Sequence, residues 1–436
     1  MRSALVLLAL VSGCSQGTQT TLISIDADAL DTVGAVSSED HATVQVLEID
    51  RGVAVVEIET RELETLSERM HLEHQRCGGY MIHDSIDDAH AALAPRAHGT
   101  IEYTLDRAEA VRTVLPTLSA KSIQNTIGEL SAMKNRYFRS ESGATASLWL
   151  QHRWRSLSAR TDITVELVDH GYPQKSVVMT IPGTTRPDEI VVLGGHLDSI
   201  SPGGASGHAP GADDDASGIS TLTEIARGLL ASDFRPERTV KFMAYAAEEV
   251  GLRGSLSIAK DYQKRGINVI GVLQLDMTNY QGSDRDIWLI DDHTDKAQNA
   301  FLVKLLESYT DATWGVDRCG YACSDHASWT RYGVPASMPF ESRFRDSNRE
   351  IHTTKDTLEM SGNNANHAVK FARLGAAYAI ELAKGTLGEA ATTTALPAHL
   401  DATPPGEPAW RLPLAFLLLG LLAVSVRVVR SPSIQR

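Results

Sequence analysis

From about residue 105 onward, short apolar runs alternate with longer segments whose apolar residues recur every three or four positions. The apolar runs predict strands at residues 176–181, 190–193, 239–244 and 269–275. The amphipathic segments predict helices at residues 123–133, 146–157, 216–230 and 367–382. Strands that are apolar throughout are typical of a sheet with helices on both faces. We therefore predict an α/β fold with a largely parallel central sheet over residues 105–385.

A smaller unit is predicted upstream, over residues 20–98. Alternating β-branched residues indicate strands at 44–49 and 53–58 around a turn, and Leu63, Leu66 and Met70 share one face of a helix. His71, His74 and Cys77 could be metal ligands or residues at an exposed helix end, and we favour the second interpretation. Residues 94–99 are expected to form an exposed connection that a protease could cut.

The first residues have the pattern of an export signal. Arg2 precedes an apolar run at residues 4–10 and a region of small side chains. The sequence Val11-Ser12-Gly13-Cys14 resembles a bacterial lipobox, in which the cysteine is lipidated, although an ordinary signal with an incidental cysteine is the alternative. We assign residues 1–19 to export and expect an extracellular, cell-surface or periplasmic protein.

The last residues predict a membrane anchor or a sorting tail over 410–436. Residues 412–426 are uncharged and are followed by Arg427 and Arg430. Fifteen helical residues span about 22 Å, which is short against roughly 30 Å of hydrocarbon. The preceding segment, 386–409, is rich in Thr, Ala and Pro and is predicted to be a linker. Membrane attachment could therefore come from this tail or from Cys14.

The charge balance limits the partners. With 41 basic and 55 acidic residues, the formal net charge is −14. Nucleic acid is not expected as a partner, because phosphate binding needs a basic face. Only 4 cysteines occur, too few for a disulfide scaffold.

Side chains of the kinds that bind metals recur along the chain. They are His196 and Asp198 in GGHLDS, Asp213-Asp214-Asp215 in GADDDASG, Glu248 and Glu249 in AYAAEEVG, Asp276 in LQLDMTNY and His352 in EIHTTKDT. Three of these motifs directly follow predicted strands, and ligands of open α/β sheets bind beyond the carboxyl ends of strands. Imidazoles combined with carboxylates suit a two-metal hydrolase, in which one carboxylate bridges two cations.

The residues alone leave some roles open. One of the three aspartates could bridge two metals, while another could simply cap the helix that follows. One of Glu248 and Glu249 could bind metal, while the other acts as a general acid/base. Asp198 is expected to orient His196 through the second ring nitrogen.

The motifs GGHLDS, PGADDDASG, AYAAEEVGLRGS, LQLDMTNY, CGYACSDHASW, PFES and IHTTKDTL occur in the order found in secreted bacterial leucyl aminopeptidases. The chain resembles these dizinc exopeptidases of the proteolytica type over about residues 107–385. The resemblance implies a central mixed sheet flanked by helices. It also implies that residues 20–98 correspond to a propeptide, which assists folding and restrains activity.

The resemblance assigns the open roles. It implies two Zn²⁺ per chain, held by His196, Asp214, Glu249, Asp276 and His352. Asp214 would bridge the two ions, Glu248 would be the general acid/base, and Asp198 would be the partner of His196. The peptide between Asp214 and Asp215 is expected to be cis.

The resemblance also implies a substrate pocket. Its apolar lining would be Met277, Ile290, Met338, Phe340, Phe344 and Ile351. A disulfide would join Cys319 to Cys323, and Tyr321 between them would face the substrate. Ser347 departs from the family pattern, which has a tyrosine there. This difference affects the size of the pocket and removes one hydroxyl donor.

The expected function is metal-dependent hydrolysis of peptides or proteins with a free N-terminus, releasing a hydrophobic, leucine-like first residue. Water activated by two zinc ions would attack, with Glu248 moving protons. We expect a monomer. The alternatives are a glutaminyl cyclase-like enzyme with a single zinc and a non-catalytic binding domain of the same fold.

Overall fold

The computed structural model describes residues 19–40, 43–50, 52–74, 76, 78–93, 99 and 101–388. Outside these ranges lie residues 1–18 of the predicted export signal, which include Cys14, the candidate ligand Cys77, the connection at 94–98, most of the predicted linker and the predicted anchor. Among the described residues, no helix combines the length and the apolar character that crossing a membrane requires.

The N-terminal unit, here residues 20–93, is a four-stranded sheet with helices. Its elements are β1 Thr20–Asp26, α1 Leu30–Asp40, β2 Val44–Asp50, β3 Val53–Glu59, α2 Leu63–His74, β4 Tyr80–His83 and α3 Ile86–Leu93. The strand order is β2-β3-β1-β4, and the paired strands run antiparallel. Leu63, Leu66 and Met70 are buried, as their helical spacing predicts. The two predicted strands of this unit are confirmed.

The larger unit, residues 101–388, alternates helices and strands as predicted. Its helices are α4 Ala108–Val114, α5 Ala120–Ser131, α6 Glu141–Arg155, α7 Ala216–Ala231, α8 Arg253–Arg265, α9 Lys296–Tyr309, α10 His326–Arg331 and α11 Ala368–Ala383. Its strands are β5 Thr164–Val168, β6 Ser176–Ile181, β7 Arg186–His196, β8 Phe234–Arg235, β9 Arg238–Tyr245, β10 Asn268–Gln274, β11 Ile287–Ile290, β12 Trp314–Asp317, β13 Ala336–Ser337, β14 Pro339–Phe340 and β15 Thr386–Leu387.

The central sheet is mixed. Its order is β13-β10-β7-β9-β6-β5, with parallel pairing from β13 to β9 and antiparallel pairing of β6 with β9 and of β5 with β6. The parallel strands β7, β9 and β10 are the apolar runs of the sequence. Each is covered on both faces, so neither face needs polar side chains.

Two helices of the core, α7 and α11, pack together and are buried along almost their whole length. A glycine permits this approach, because a Cβ on Gly375 would lie 2.5 Å from Ile225 Cδ1. Burying a side chain such as Leu222 or Ile225 stabilises the fold by about 1.5–3 kcal/mol. The packing fixes α7, whose N-terminus reaches the carboxyl ends of β7 and β10.

Ion pairs join the N-terminal unit to the larger unit. Arg331 on α10 lies 2.9 Å from Asp88 Oδ1 on α3, and Lys260 on α8 lies 2.6 Å from Asp84 Oδ2. His83 is buried beside Arg331, and neither of its ring nitrogens has a hydrogen-bond partner among the described residues. Burial, followed by the charge of Arg331, lowers the pKa of His83 to about 3.

This histidine predicts a pH-dependent stability. The folded pKa of His83 lies below its unfolded value of about 6.5, so the unfolded chain binds more protons as the pH falls below 6.5. We expect the free energy of unfolding to drop by on the order of 3 kcal/mol from this group between pH 6.5 and 4. H83L should flatten the profile measured by denaturant titration. H90L, at a half-exposed site, should leave the slope unchanged, and equal slopes for both variants would contradict the assignment.

Candidate metal centre

Five of the predicted residues converge at the carboxyl ends of the parallel strands. They form two buried groups of potential ligands, His196–Asp214–Asp276 and Asp214–Glu249–His352, and in each group the donor atoms lie within 4.8 Å of one another. Asp214 belongs to both groups. This arrangement is what a bridging carboxylate between two cations requires.

The elements explain the convergence. His196 is the last residue of β7, and Asp276 and Glu249 lie in the turns that follow β10 and β9. Asp214 lies just before α7. His352 comes from a distant loop that reaches the same edge of the sheet. The peptide between Asp214 and Asp215 is cis, as the resemblance implied.

The two oxygens of Asp214 face different histidines. His196 Nε2 lies 2.9 Å from Oδ1, and His352 Nε2 lies 3.0 Å from Oδ2. On the outer side of each group, Asp276 Oδ1 lies 3.5 Å from His196 Nε2, and Glu249 Oε2 lies 2.7 Å from His352 Nε2. The carboxylate thus stands between two half-sites, each with its own imidazole and its own second carboxylate.

The donor set fits a pair of divalent cations. In the described part of the chain, both oxygens of Glu248, Glu249 Oε1 and Asp276 Oδ1 are buried and make no hydrogen bond. Buried carboxylates without hydrogen bonds are costly unless a cation compensates them. Imidazole nitrogen and carboxylate oxygen are also the ligands that zinc accepts.

The electrostatics of the site point the same way. Burial opposes ionisation of Asp214, yet His196 and His352 hold its pKa below the usual range. Burial and the neighbouring charge of Asp214 raise the pKa of Glu249 to about 7. Burial raises the pKa of Glu248 well above its usual value, with further increases from Asp325 and Glu249. The site therefore concentrates more negative charge than it can hold without cations.

Asp198 holds the two glutamates. Its Oδ1 accepts a hydrogen bond from the backbone N–H of Glu248 at 3.0 Å, and its Oδ2 accepts one from Glu249 at 3.1 Å. His196 Nδ1 lies 3.5 Å from Asp198 Oδ1 and 3.2 Å from the carbonyl oxygen of Asp198. The structure thus adds a task that the sequence did not predict, because Asp198 anchors the turn after β9 as well as approaching His196.

Asp215 holds the other half of the site. It caps α7 by accepting from Gly218 N at 2.8 Å, so the capping role foreseen for one aspartate falls to this residue. It also accepts from His196 N at 3.0 Å and from Met277 N at 3.2 Å. One carboxylate therefore joins β7, α7 and the turn after β10.

Sequence reasoning missed two further buried residues, Asp356 and Arg136. Asp356 accepts from the backbone amide of Asp214 at 3.1 Å. Arg136 donates to the carbonyl oxygens of Leu197, Pro210 and Gly211, at 2.9, 2.6 and 2.8 Å. The available signal for Asp356 was its position four residues after His352 in IHTTKDT, whereas nothing in the local sequence marks Arg136.

Several residues at the site have left-handed backbone conformations. The φ angles are 57° at Ala247, 55° at Met277 and 57° at His352. Such conformations are unfavourable for non-glycine residues and persist where surrounding structure enforces them, often at functional sites. They redirect the chain beside the ligands Glu249, Asp276 and His352.

All the predicted pocket residues lie in one apolar cluster. Met277, Ile290, Tyr321, Met338, Phe340 and Ile351 are buried, and Phe344 packs against them. Cys319 and Cys323 form the expected disulfide. A cavity of about 20 Å³ lies between this cluster and Asp276, and Ser347 lines it. A space of this size holds about one water molecule, so a larger side chain would require the lining to move.

The N-terminal unit contacts the site directly. The His71 ring lies 4.3 Å from the His352 ring between centroids, and the Arg76 guanidinium lies 5.1 Å from the centroid of Tyr321. His74, by contrast, pairs with Thr32 Oγ1 at 2.8 Å within its own unit. The interpretation of His71 as a residue at an exposed helix end was therefore wrong. Its helix face packs against the larger unit, which helical periodicity alone does not reveal.

A family model described as Peptidase family M28 matches residues 176–376, which include every residue of the two ligand groups. Leucine aminopeptidase 1 of Uncinocarpus reesii is 38% identical over 284 residues, covering 61% of this chain and 70% of that protein. Leucine aminopeptidase 1 of Penicillium rubens is 35% identical over 297 residues, covering 64% and 76%. This chain belongs to peptidase family M28.

Solved structures resemble this M28 chain over a larger share of its length. The LapA aminopeptidase of Legionella pneumophila has a TM-score of 0.71 and 28% identity, covering 84% of this chain and 99% of that one. LapB from the same organism has a TM-score of 0.72 and 29% identity, covering 84% and 100%. These matches confirm the prediction of helices around a mixed central sheet.

The ligand geometry predicts that this M28 protein is stabilised by zinc. A cation that binds the folded chain at 100 times its Kd adds about 2.7 kcal/mol to the free energy of unfolding. We expect the Tm of chelator-treated protein to rise on addition of zinc, and D214N to abolish most of that rise because both groups share Asp214. D169N, at an exposed carboxylate, should respond like wild type. A full zinc response in D214N would contradict the shared role.

Proposed function

We propose that this protein is a dizinc aminopeptidase that releases a hydrophobic, leucine-like first residue from peptides with a free N-terminus. The observation that carries the proposal is the shared carboxylate, since Asp214 completes two separate ligand groups. The names of the M28 relatives, leucine aminopeptidases and a LapA aminopeptidase, support the same activity.

The proposal assigns each ligand to a half-site. His196 and Asp276 would hold one zinc, and Glu249 and His352 would hold the other, with Asp214 between them. Bound zinc acidifies water and polarises the substrate carbonyl. The protein's part is to fix these ligands through Asp198, Asp215 and the strands that carry them.

Glu248 is the general acid/base of the proposal. Its carboxylate approaches the site, with Oε2 4.0 Å from His196 Nε2, and it belongs to neither ligand group. Its backbone is held by Asp198. From this position the side chain takes a proton from the attacking water and returns it to the leaving amine nitrogen.

The apolar cluster beside Asp276 would receive the first side chain of the substrate. Met277 and Ile351, each next to a ligand, form part of its lining. Apolar walls select hydrophobic side chains by burial. Ser347 on the wall makes the space larger than a tyrosine would, so the preferred first residue is set by this position as well.

The two alternatives are less well supported. A glutaminyl cyclase-like enzyme with one zinc would not need Asp214 to face two imidazoles, at 2.9 and 3.0 Å. A binding domain without catalysis would not need an unliganded buried glutamate in the position of Glu248. Zinc content, together with release of leucine from a chromogenic amide, separates the three functions.

The proposal includes export and processing. Residues 1–19 would direct export, and the tail at 410–436 or Cys14 would provide membrane attachment. The N-terminal unit would restrain activity while attached. In support, His71 contacts His352, and α2, residues 200–205 and His352 together line a cavity of about 430 Å³.

E248A tests the catalytic assignment. We expect turnover of a leucine amide to fall by a factor of at least 10³ while the purified protein keeps close to two zinc ions, because the carboxylate moves protons and binds no metal. E129Q, at a half-exposed helix position, should have wild-type activity. Full activity of E248A would overturn the role of Glu248, and zinc near one per wild-type chain would overturn the dizinc site.

Processing predicts a defined N-terminus. We expect the active form, purified from its native source, to begin between residues 96 and 106, because removal of the N-terminal unit uncovers His352 and Tyr321. Intact mass and N-terminal sequencing check this directly. An enzyme that is fully active with residues 20–95 still attached would contradict it.

A further inference from the structure

Asp356 lies at a junction between two ligand-bearing segments. Its Oδ2 accepts hydrogen bonds from the backbone amides of Asp213, at 3.3 Å, and Asp214, at 3.1 Å. Its Oδ1 accepts from Asp213 N at 3.1 Å. Asp356 is 1% exposed, and burial raises the pKa of its carboxyl group well above the usual value. A buried carboxyl group that receives several amides fixes the backbone that carries those amides.

The same residue belongs to the loop that carries His352. Residues 352 and 356 are four positions apart, and the backbone of Asp356 is tied at both ends. Its carbonyl oxygen accepts from Ala212 N at 3.1 Å, and its N–H donates to Thr353 O at 3.4 Å. Residues 352–356 are therefore joined to residues 212–214 through both the side chain and the backbone of Asp356.

Asn348 strengthens this junction. Its Nδ2 donates to Asp356 Oδ1 at 3.3 Å and to Asp213 Oδ2 at 3.2 Å. The residue is 1% exposed, so these bonds are protected from water. Asn348 precedes His352 by four positions, and the histidine is thus held from both sides along the chain.

Asp215 makes the corresponding junction for the other ligand group. It binds the amides of His196 and of Met277, the residue after Asp276. Asp356 makes no hydrogen bond to that segment among the described bonds. Each of these two carboxylates therefore supports a different ligand group: Asp215 binds the segments of His196 and Asp276, and Asp356 belongs to the loop of His352.

We infer that Asp356 is a positioning residue for the Asp214–Glu249–His352 group and that it governs zinc affinity there more than at the His196–Asp214–Asp276 group. The inference rests on the proposed dizinc centre. Asp356 touches neither substrate nor metal in this assignment. It acts by holding the His352 loop against the backbone of Asp214, so that the imidazole and the shared carboxylate keep one relative position.

The isosteric variant D356N is the appropriate change. Both oxygens of Asp356 accept hydrogen bonds from N–H groups. The asparagine side chain has the same shape, but its NH₂ group would face one of these N–H donors and could not accept a hydrogen bond from it. Substitution of a residue that supports a metal ligand typically weakens metal binding by 10- to 100-fold.

The experiment measures zinc affinity in the full chain by competition with a chromophoric chelator. D356N is introduced into two backgrounds, H196A, which leaves the Asp214–Glu249–His352 group complete, and H352A, which leaves the other group complete. We expect D356N to raise the zinc Kd at least tenfold in H196A and less than threefold in H352A. D215N is the matched control and should show the reverse pattern.

The outcomes separate the inference from the proposed function. Equal effects of D356N in the two backgrounds, or no effect in either, would overturn the positioning role and leave the dizinc centre intact. Wild-type protein that binds a single zinc would overturn the proposed function itself. If D356N does not fold, N348A replaces it, with an expected Kd increase of about threefold in H196A only, and an unchanged Kd in H196A would overturn the inference.

Discussion

The candidate metal centre depends on carboxylates that accept hydrogen bonds from backbone amides and belong to neither group of potential ligands. Asp198, Asp215 and Asp356 together accept hydrogen bonds from the amides of Glu248, Glu249, His196, Met277 and Asp214. These bonds fix the backbone beside four of the five candidate ligand positions. The candidate ligands come from loops that follow three strands and from the loop before one helix. Hydrogen bonds to the backbone keep their side chains in fixed relative positions, which flexible loops alone would not do.

The same carboxylates add to a crowded negative charge, which needs compensation. Arg136 lies fully buried nearby, but its guanidinium donates to carbonyl oxygens and stays outside the ligand groups. Burial, the first influence on Arg136, lowers its pKa, while Asp356 and Asp215 oppose that effect. Arg136 therefore does not neutralise the negative charge of the candidate ligand carboxylates, and divalent cations would compensate that charge. A single bridging carboxylate suits two cations because each of its oxygens already faces a separate imidazole.

The sequence predicts the ligands better than the residues that support them. His196, Glu249 and Asp276 follow apolar runs, so the topology of a parallel sheet brings them together whatever the details. The choice of Asp214 as the shared ligand came from the family resemblance, because three adjacent aspartates are equivalent by spacing. Asp356 binds the amide of Asp214, 142 positions away, and this pairing depends on loop packing that no periodicity encodes. The contact of His71 with His352 is not predictable from the sequence for the same reason, since the two residues lie in different units.

The predicted strand at 190–193 is shorter than the observed strand, because pairing with β9 and β10 extends β7 to His196.

The cavity beside Asp276 has walls of two kinds, which differ in how close they lie to the candidate ligands. Met277 and Ile351 line the cavity and adjoin the ligands Asp276 and His352, and the amide of Met277 is held by Asp215. A substitution at either residue would move a candidate ligand as well as the lining of the cavity.

Four other residues line the same cavity but are not adjacent in sequence to any candidate ligand: Met338, Phe340, Phe344 and Ser347. Ser347 hydrogen bonds only to the carbonyl oxygen of Phe344, at 2.9 Å, among the described side-chain bonds. A substitution at Ser347 would therefore change the wall of the cavity without removing a hydrogen bond to a candidate ligand segment.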